Sequence, residues 1–106
     1  LYHVGDVISF NDRPYKLNSI GKTGGKAIDL QNFRETTIKK FELASVKIIC
    51  KAEDISESTV VSKSKNEIQV LHPVSYITKD VRIPEGSEIG DTVKVVDIEE
   101  ELFFVP

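Results

Sequence analysis

The sequence predicts an all-β protein made of two consecutive small barrels that meet near Ser45. Three observations carry that expectation. Short alternations of apolar and polar residues recur along almost the whole chain. Gly, Pro, Asn and Asp punctuate them at close intervals. No stretch holds a helical period long enough to build a fold around. The 106 residues, 40% hydrophobic and 29% charged, suit a globular chain. At that length folding buries roughly 65% of the unfolded surface, enough for a core without staples.

The elements follow in order. Val7 to Phe10 is a first strand, and Asn11-Asp12-Arg13-Pro14 turns the chain with polar residues and a fixed-φ proline. Tyr15 to Ile20 is the second, with Tyr15, Leu17 and Ser19 on one face. Lys26 to Leu30 alternates clearly, Ile28 and Leu30 sharing one face and Ala27 and Asp29 the other. Gln31-Asn32-Phe33 turns into Arg34 to Ile38, whose threonines favour extended backbone. Lys39 to Ser45 is the one plausible helical turn. Val46 to Ala52 restarts the pattern, Val46, Ile48 and Cys50 sharing a face. Thr59 to Ser62 and Glu67 to Leu71 flank the turn Lys63-Ser64-Lys65-Asn66. Val81 to Ile83 ends at Pro84-Glu85-Gly86, and Thr92 to Ile98 and Leu102 to Val105 bracket Glu99-Glu100-Glu101. The expected domains are residues 1–45 and 46–106. Val4-Gly5-Asp6-Val7 and Ile89-Gly90-Asp91-Thr92 echo each other, which reads as shared turn chemistry.

Charge is unevenly shared. Residues 1–45 carry seven basic groups against five acids, +2, and residues 46–106 seven against twelve, −5, for a total of −3. A basic front half suits a polyanion, and an acidic back half is repelled by one.

The positive charge gathers at a glycine-rich bend, Gly21-Lys22-Thr23-Gly24-Gly25-Lys26, between two strand patterns. Glycine permits close backbone approach and lysine supplies a point charge on a flexible stem, so Gly21, Gly24, Gly25, Lys22 and Lys26 form a candidate phosphate contact. Arg13, Lys16, Arg34, Lys39 and Lys40 extend it if they share a face. Three phosphate contacts give a salt slope of roughly −2 on single-stranded RNA, which is weak binding. Tyr15 beside Lys16 is the nearest approach to a base-stacking platform.

Other chemistries lack their residues. A phosphate-binding loop ending in Gly21-Lys22-Thr23 needs a glycine where Lys16 stands and a helix where a strand pattern follows. His3 and His72 have no ligand partners at metal spacing, and the single cysteine, Cys50, forms no disulfide within the chain. The serines occupy no nucleophile elbow. No apolar run approaches the ~20 residues of a membrane span. These absences predict a non-enzymatic protein without metal, cofactor or small-molecule substrate, and a cytoplasmic location without a secretory leader. A chain opening at Leu1 without methionine is expected to be a fragment of a longer protein.

Lys22-Thr23-Gly24 resembles the start of the modified loop of the hypusine-containing translation factor 5A family, which joins an SH3-like barrel to an OB-like one. Here the tip continues Gly25-Lys26-Ala27 without the family's histidines, so no hypusine is expected. A second resemblance is to the factor 5A-like C-terminal part of the large-subunit export and biogenesis adaptor called nonsense-mediated-decay protein three. Tyr2 to Ile8, Gly21 to Leu30, Glu67 to Tyr76 with Val81-Arg82-Ile83-Pro84, Gly90 to Val96 and Leu102 to Pro106 carry it. The adaptor's cysteine-rich zinc region and shuttling tail are not in this sequence, which points to an archaeal-type member. The resemblance implies an SH3-like barrel over 1–45, an OB-like barrel over 46–106, and binding to the large ribosomal subunit near the transfer-RNA exit region. There the tip would meet ribosomal RNA or protein. A protein-interaction module without RNA contact, engaging partners through strand edges or the acidic half, and a factor 5A-like translation factor are the alternatives.

Overall fold

The computed structural model describes residues 1–65, 67–74, 78–83 and 86–106. Asn66, Ser75, Tyr76, Pro84 and Glu85, which several of the sequence motifs include, lie outside the described residues. The strands are β1 (Val7–Phe10), β2 (Arg13–Ile20), β3 (Gly24–Asp29), β4 (Glu35–Lys39), β5 (Lys47–Cys50), β6 (Ser56–Lys63), β7 (Glu67–Leu71), β8 (Thr78–Arg82), β9 (Thr92–Ile98) and β10 (Glu101–Phe104). One helical turn, α1 (Lys40–Leu43), follows β4, and a 3-10 turn covers Ala52–Asp54.

The expected all-β architecture holds, as two compact units, Leu1–Asp54 and Ile55–Pro106. In the first unit five antiparallel strands run β4-β3-β2-β1-β5. The division falls later than the expected boundary near Ser45, because β5 closes the first sheet by pairing Ile8 with Ile48 and Ser9 with Lys47. The alternation beginning at Val46 fixes a strand but not the sheet it joins, since that pairing is long-range. The relocated boundary leaves the charge division intact. Residues 1–54 carry nine basic groups against seven acids, and residues 55–106 five against ten.

Ile8, Tyr15, Leu17, Ala27, Ile38 and Leu43 form the core of the first unit, with Tyr2, Phe10 and Val46 packed on it. A register shift between Leu17 and Ser19 reshapes β2. Ser19 therefore lies opposite Lys26 instead of sharing the inner face with Tyr15 and Leu17.

The second unit orders its strands β10-β9-β6-β7-β8, all antiparallel. β10 also approaches β8, so the sheet curls toward a barrel. Val60, Ile68, Val70, Val81, Ile83, Val93, Val95 and Leu102 alternate inward to fill it.

The echoed Gly-Asp unit proves to be one hydrogen-bond cage used twice. Gly5 and Gly90 take φ +95° and +93°. Gly5 N–H donates to the Leu17 carbonyl and Leu17 N–H to that of Asp6; Gly90, Val60 and Asp91 repeat both bonds. Each carboxylate accepts from the backbone three residues earlier, Asp6 from His3 at 2.7 Å and Asp91 from Glu88 at 2.9 Å.

Candidate nucleic-acid interface

The glycine-rich bend is a tight hairpin turn, Gly21-Lys22-Thr23, closed by Gly21 N–H donating to the Gly24 carbonyl at 2.7 Å. Its glycines answer to the fold itself. A Cβ on Gly24, whose φ is +151°, would stand 2.2 Å from the Ile38 carbonyl oxygen, and one on Gly25 2.6 Å from that of Ser19. Both therefore let β3 lie close to its neighbours β4 and β2, rather than close to a partner. Gly21 has room, its nearest atom being 3.7 Å away.

The same turn receives the end of β4. Gly24 faces Lys39 across the sheet, and Lys40 N–H donates to the Thr23 carbonyl at 3.0 Å. Lys39 precedes α1 as its N-cap, and its N–H donates to the Glu42 carboxylate at 3.0 Å, one half of a capping box. Leu43, 2% exposed, then anchors the helical turn in the core. Residues far apart in sequence thus bring Lys22, Lys39 and Lys40 to one end of the sheet.

Register assigns the faces. Lys26 lies opposite Thr37 and Lys39 opposite Gly24, which places the two lysines diagonally on one face, about 7–8 Å apart at the backbone. Lys16, opposite Ile28, is on that face too, further from the tip. Lys22, Lys26, Lys39 and Lys40 are all exposed, and among the described residues none is in an ion pair.

Two expected members of the patch fall elsewhere. Arg13 is on the opposite face, where its guanidinium pairs with the buried Asp29 carboxylate at 2.7 Å. That hydrogen bond holds the Arg13 pKa above its ordinary value, against partial desolvation, with the Asp29 charge reinforcing it. Asp29 also accepts from Gln31 N–H, so the arginine completes an internal cage. Arg34 is exposed but stands at the far end of β3, on the order of 20 Å from the tip. Tyr15 offers no stacking platform: it is 8% exposed and its ring packs against Phe10 at 6.1 Å. The residue that sequence reasoning passed over is Phe41. It is 73% exposed on α1, and the Lys39 ammonium lies 6.0 Å from its ring centre. The run Lys39-Lys40-Phe41 was a readable signal, but only the fold shows that it meets the glycine bend.

In the second unit the Glu99-Glu100 tip joins β9 to β10 and stays exposed. Cys50 is half-buried, and burial, then the charges of Asp54, Asp6 and Glu53, push its thiol pKa up, away from the reactive thiolate. Among the described residues no three His, Cys, Asp or Glu side chains gather as a metal site, and no helix is long and apolar enough to cross a membrane.

The two-unit β architecture has a counterpart among solved structures. It is similar to the eukaryotic translation initiation factor 5A from Methanococcus jannaschii, with a TM-score of 0.57 and 17% sequence identity over 96% of this chain and 85% of that one. At that identity the likeness is one of fold. No protein-family model matches the chain, and no curated protein does. The fold likeness agrees with the factor 5A resemblance read from Lys22-Thr23-Gly24. This neighbour bears on the factor 5A resemblance and not on the adaptor one.

Proposed function

We propose that this chain is a non-enzymatic, ribosome-associated module of factor 5A type that lays the tip of its first unit on ribosomal RNA. In this reading the first unit is SH3-like and the second OB-like. The β10-β9-β6-β7-β8 order with β10 returning to β8 supports the second assignment, because a five-stranded partly closed barrel of that kind is the OB pattern. The observation that carries the function is the gathering of Lys22, Lys26, Lys39 and Lys40 around one turn, exposed and outside any ion pair among the described residues. Charges left free in that way attract phosphates and release counterions on contact.

OB-like barrels that bind nucleic acid use loops of the kind that joins β9 to β10. Here that loop carries Glu99 and Glu100, which repel phosphate. The second unit is therefore proposed to face away from RNA or toward protein. A large-subunit biogenesis adaptor is the narrower form of the same reading. The fold likeness to a factor 5A supports the factor 5A-like alternative better than this narrower one. The cytoplasm is the proposed location.

Cosedimentation with purified large subunits across a salt series tests the proposal. Lys22→Glu with Lys26→Glu is expected to abolish association at salt concentrations where the unaltered chain still pellets. Equal pelleting of both proteins at every salt concentration would contradict it. Association carried by ribosomal proteins alone, insensitive to the two changes, would favour a protein-interaction module.

A further inference from the structure

We propose that Phe41 is a stacking platform for an unpaired RNA base, set among the tip lysines so that the site takes single-stranded in preference to duplex RNA. This rests on the RNA-contacting role proposed for those lysines and names the chemistry they would select.

Phe41 stands apart from every other described aromatic residue. Tyr2, Phe10, Tyr15, Phe33, Phe103 and Phe104 are buried or half-buried, whereas Phe41 is 73% exposed. Its position explains the exposure. Within the single turn of α1, Leu43 takes the inward place, and a residue two positions earlier on a helix points roughly the opposite way. An exposed phenylalanine forfeits the stabilisation that burial provides, so folding alone gives no reason for a large aromatic there.

A lone exposed apolar residue is ordinary. The surroundings distinguish this one. Lys39 and Lys40 precede it directly, the Lys39 ammonium is 6.0 Å from the ring centre, and the Lys40–Thr23 bond holds α1 against the turn that carries Lys22. A flat apolar surface with an ammonium beside it, in no ion pair among the described residues, matches an extruded nucleotide, which offers a π-face and a phosphate at once. Glu42 is the one acid in α1, and its carboxylate accepts the Lys39 backbone N–H. Duplex RNA, whose bases are stacked inside, would reach the lysines but not the ring.

The test measures binding of the full 106-residue chain to three fluorescent RNAs of equal length at low salt: oligouridylate, an abasic strand and a duplex. Phe41→Ala is expected to weaken oligouridylate binding by on the order of tenfold. It should leave the salt slope and duplex binding unchanged, and Phe41→Trp should restore affinity. The abasic strand should bind the unaltered protein only as well as oligouridylate binds the alanine variant. Equal oligouridylate affinity of the Phe41→Ala and unaltered proteins, while both keep a lysine-dependent salt slope, would overturn the stacking role alone. Absence of any salt-dependent RNA binding would overturn the RNA-contacting reading and this inference with it. Because Phe41 is exposed, its replacement does not disturb the core.

Discussion

The Lys40 N–H donates to the Thr23 carbonyl at 3.0 Å, joining a residue that enters a helical turn to one in a hairpin tip. With the pairing of Gly24 and Lys39 across the sheet, that bond joins the turn Gly21-Lys22-Thr23 and the basic run Lys39-Lys40 into one surface. It also brings Phe41 to the same end of the sheet. The charge at the tip is thus a product of sheet register and not of local sequence alone.

The two packed glycines are expected to be indispensable and the third replaceable. Gly24→Ala and Gly25→Ala each drive a Cβ into a backbone carbonyl of the neighbouring strand, which cannot swing aside as a side chain would. Each should cost about 2 kcal/mol, seen as a lower urea midpoint. Gly21→Ala, with open space around it, should stay within about 0.5 kcal/mol of the parent.

Much of this is legible in the chain alone. The alternation from Thr92 to Ile98 coincides with β9, and the turn expected over Asn11-Asp12-Arg13-Pro14 is present but shorter, Asn11-Asp12 alone, because Arg13 and Pro14 pair with Phe10 and Ser9 in β2. The lysine–glycine bend is a hairpin tip as expected. What local pattern could not supply was partnership. Nothing at Val46 says that β5 completes the first sheet, and nothing at Arg13 says that its charge is held by Asp29 sixteen residues later. The register shift at Leu17/Ser19 likewise changes a face assignment that strict alternation gets wrong. Lys39 and Lys40 are visible as charge, but their place beside Lys22 depends on long-range pairing.

Asp6 should make the first unit sensitive to acid. Burial pushes its pKa up, but hydrogen bonds from Ala52 and His3 N–H, with the charges of Lys51 and His3, outweigh that and hold it below the ordinary carboxylate value. The folded state therefore binds this proton less readily than the unfolded chain does. The stabilisation is fully present above about pH 4 and is lost as pH falls below it. Asp6→Ala strands two backbone donors and should cost about 2–4 kcal/mol at neutral pH. Asp6→Asn should flatten the acid limb of stability, measured by urea midpoints from about pH 2.5 to about pH 6.

The turn from β9 to β10 is expected to be a reserve of stability. Glu99 and Glu100 adopt φ of 52° and 69°, a left-handed pair that an asparagine–glycine dipeptide forms far more readily. Two adjacent like charges add to the cost. The double substitution Glu99→Asn with Glu100→Gly should raise stability by about 1–2 kcal/mol, read as a higher melting temperature of the second unit. RNA affinity should change little, since the tip under proposal belongs to the first unit.

The salt dependence of RNA binding tests the central claim most directly. Four lysines meeting phosphates predict a slope of log K against log salt of about −3 on single-stranded RNA. Lys22→Gln with Lys39→Gln should reduce its magnitude by about 1.4, whereas Arg13→Gln and Arg34→Gln, the one paired internally and the other remote, should leave it unchanged. A slope that falls equally for all four substitutions, or that stays the same when Lys22 and Lys39 are neutralised, would contradict the account.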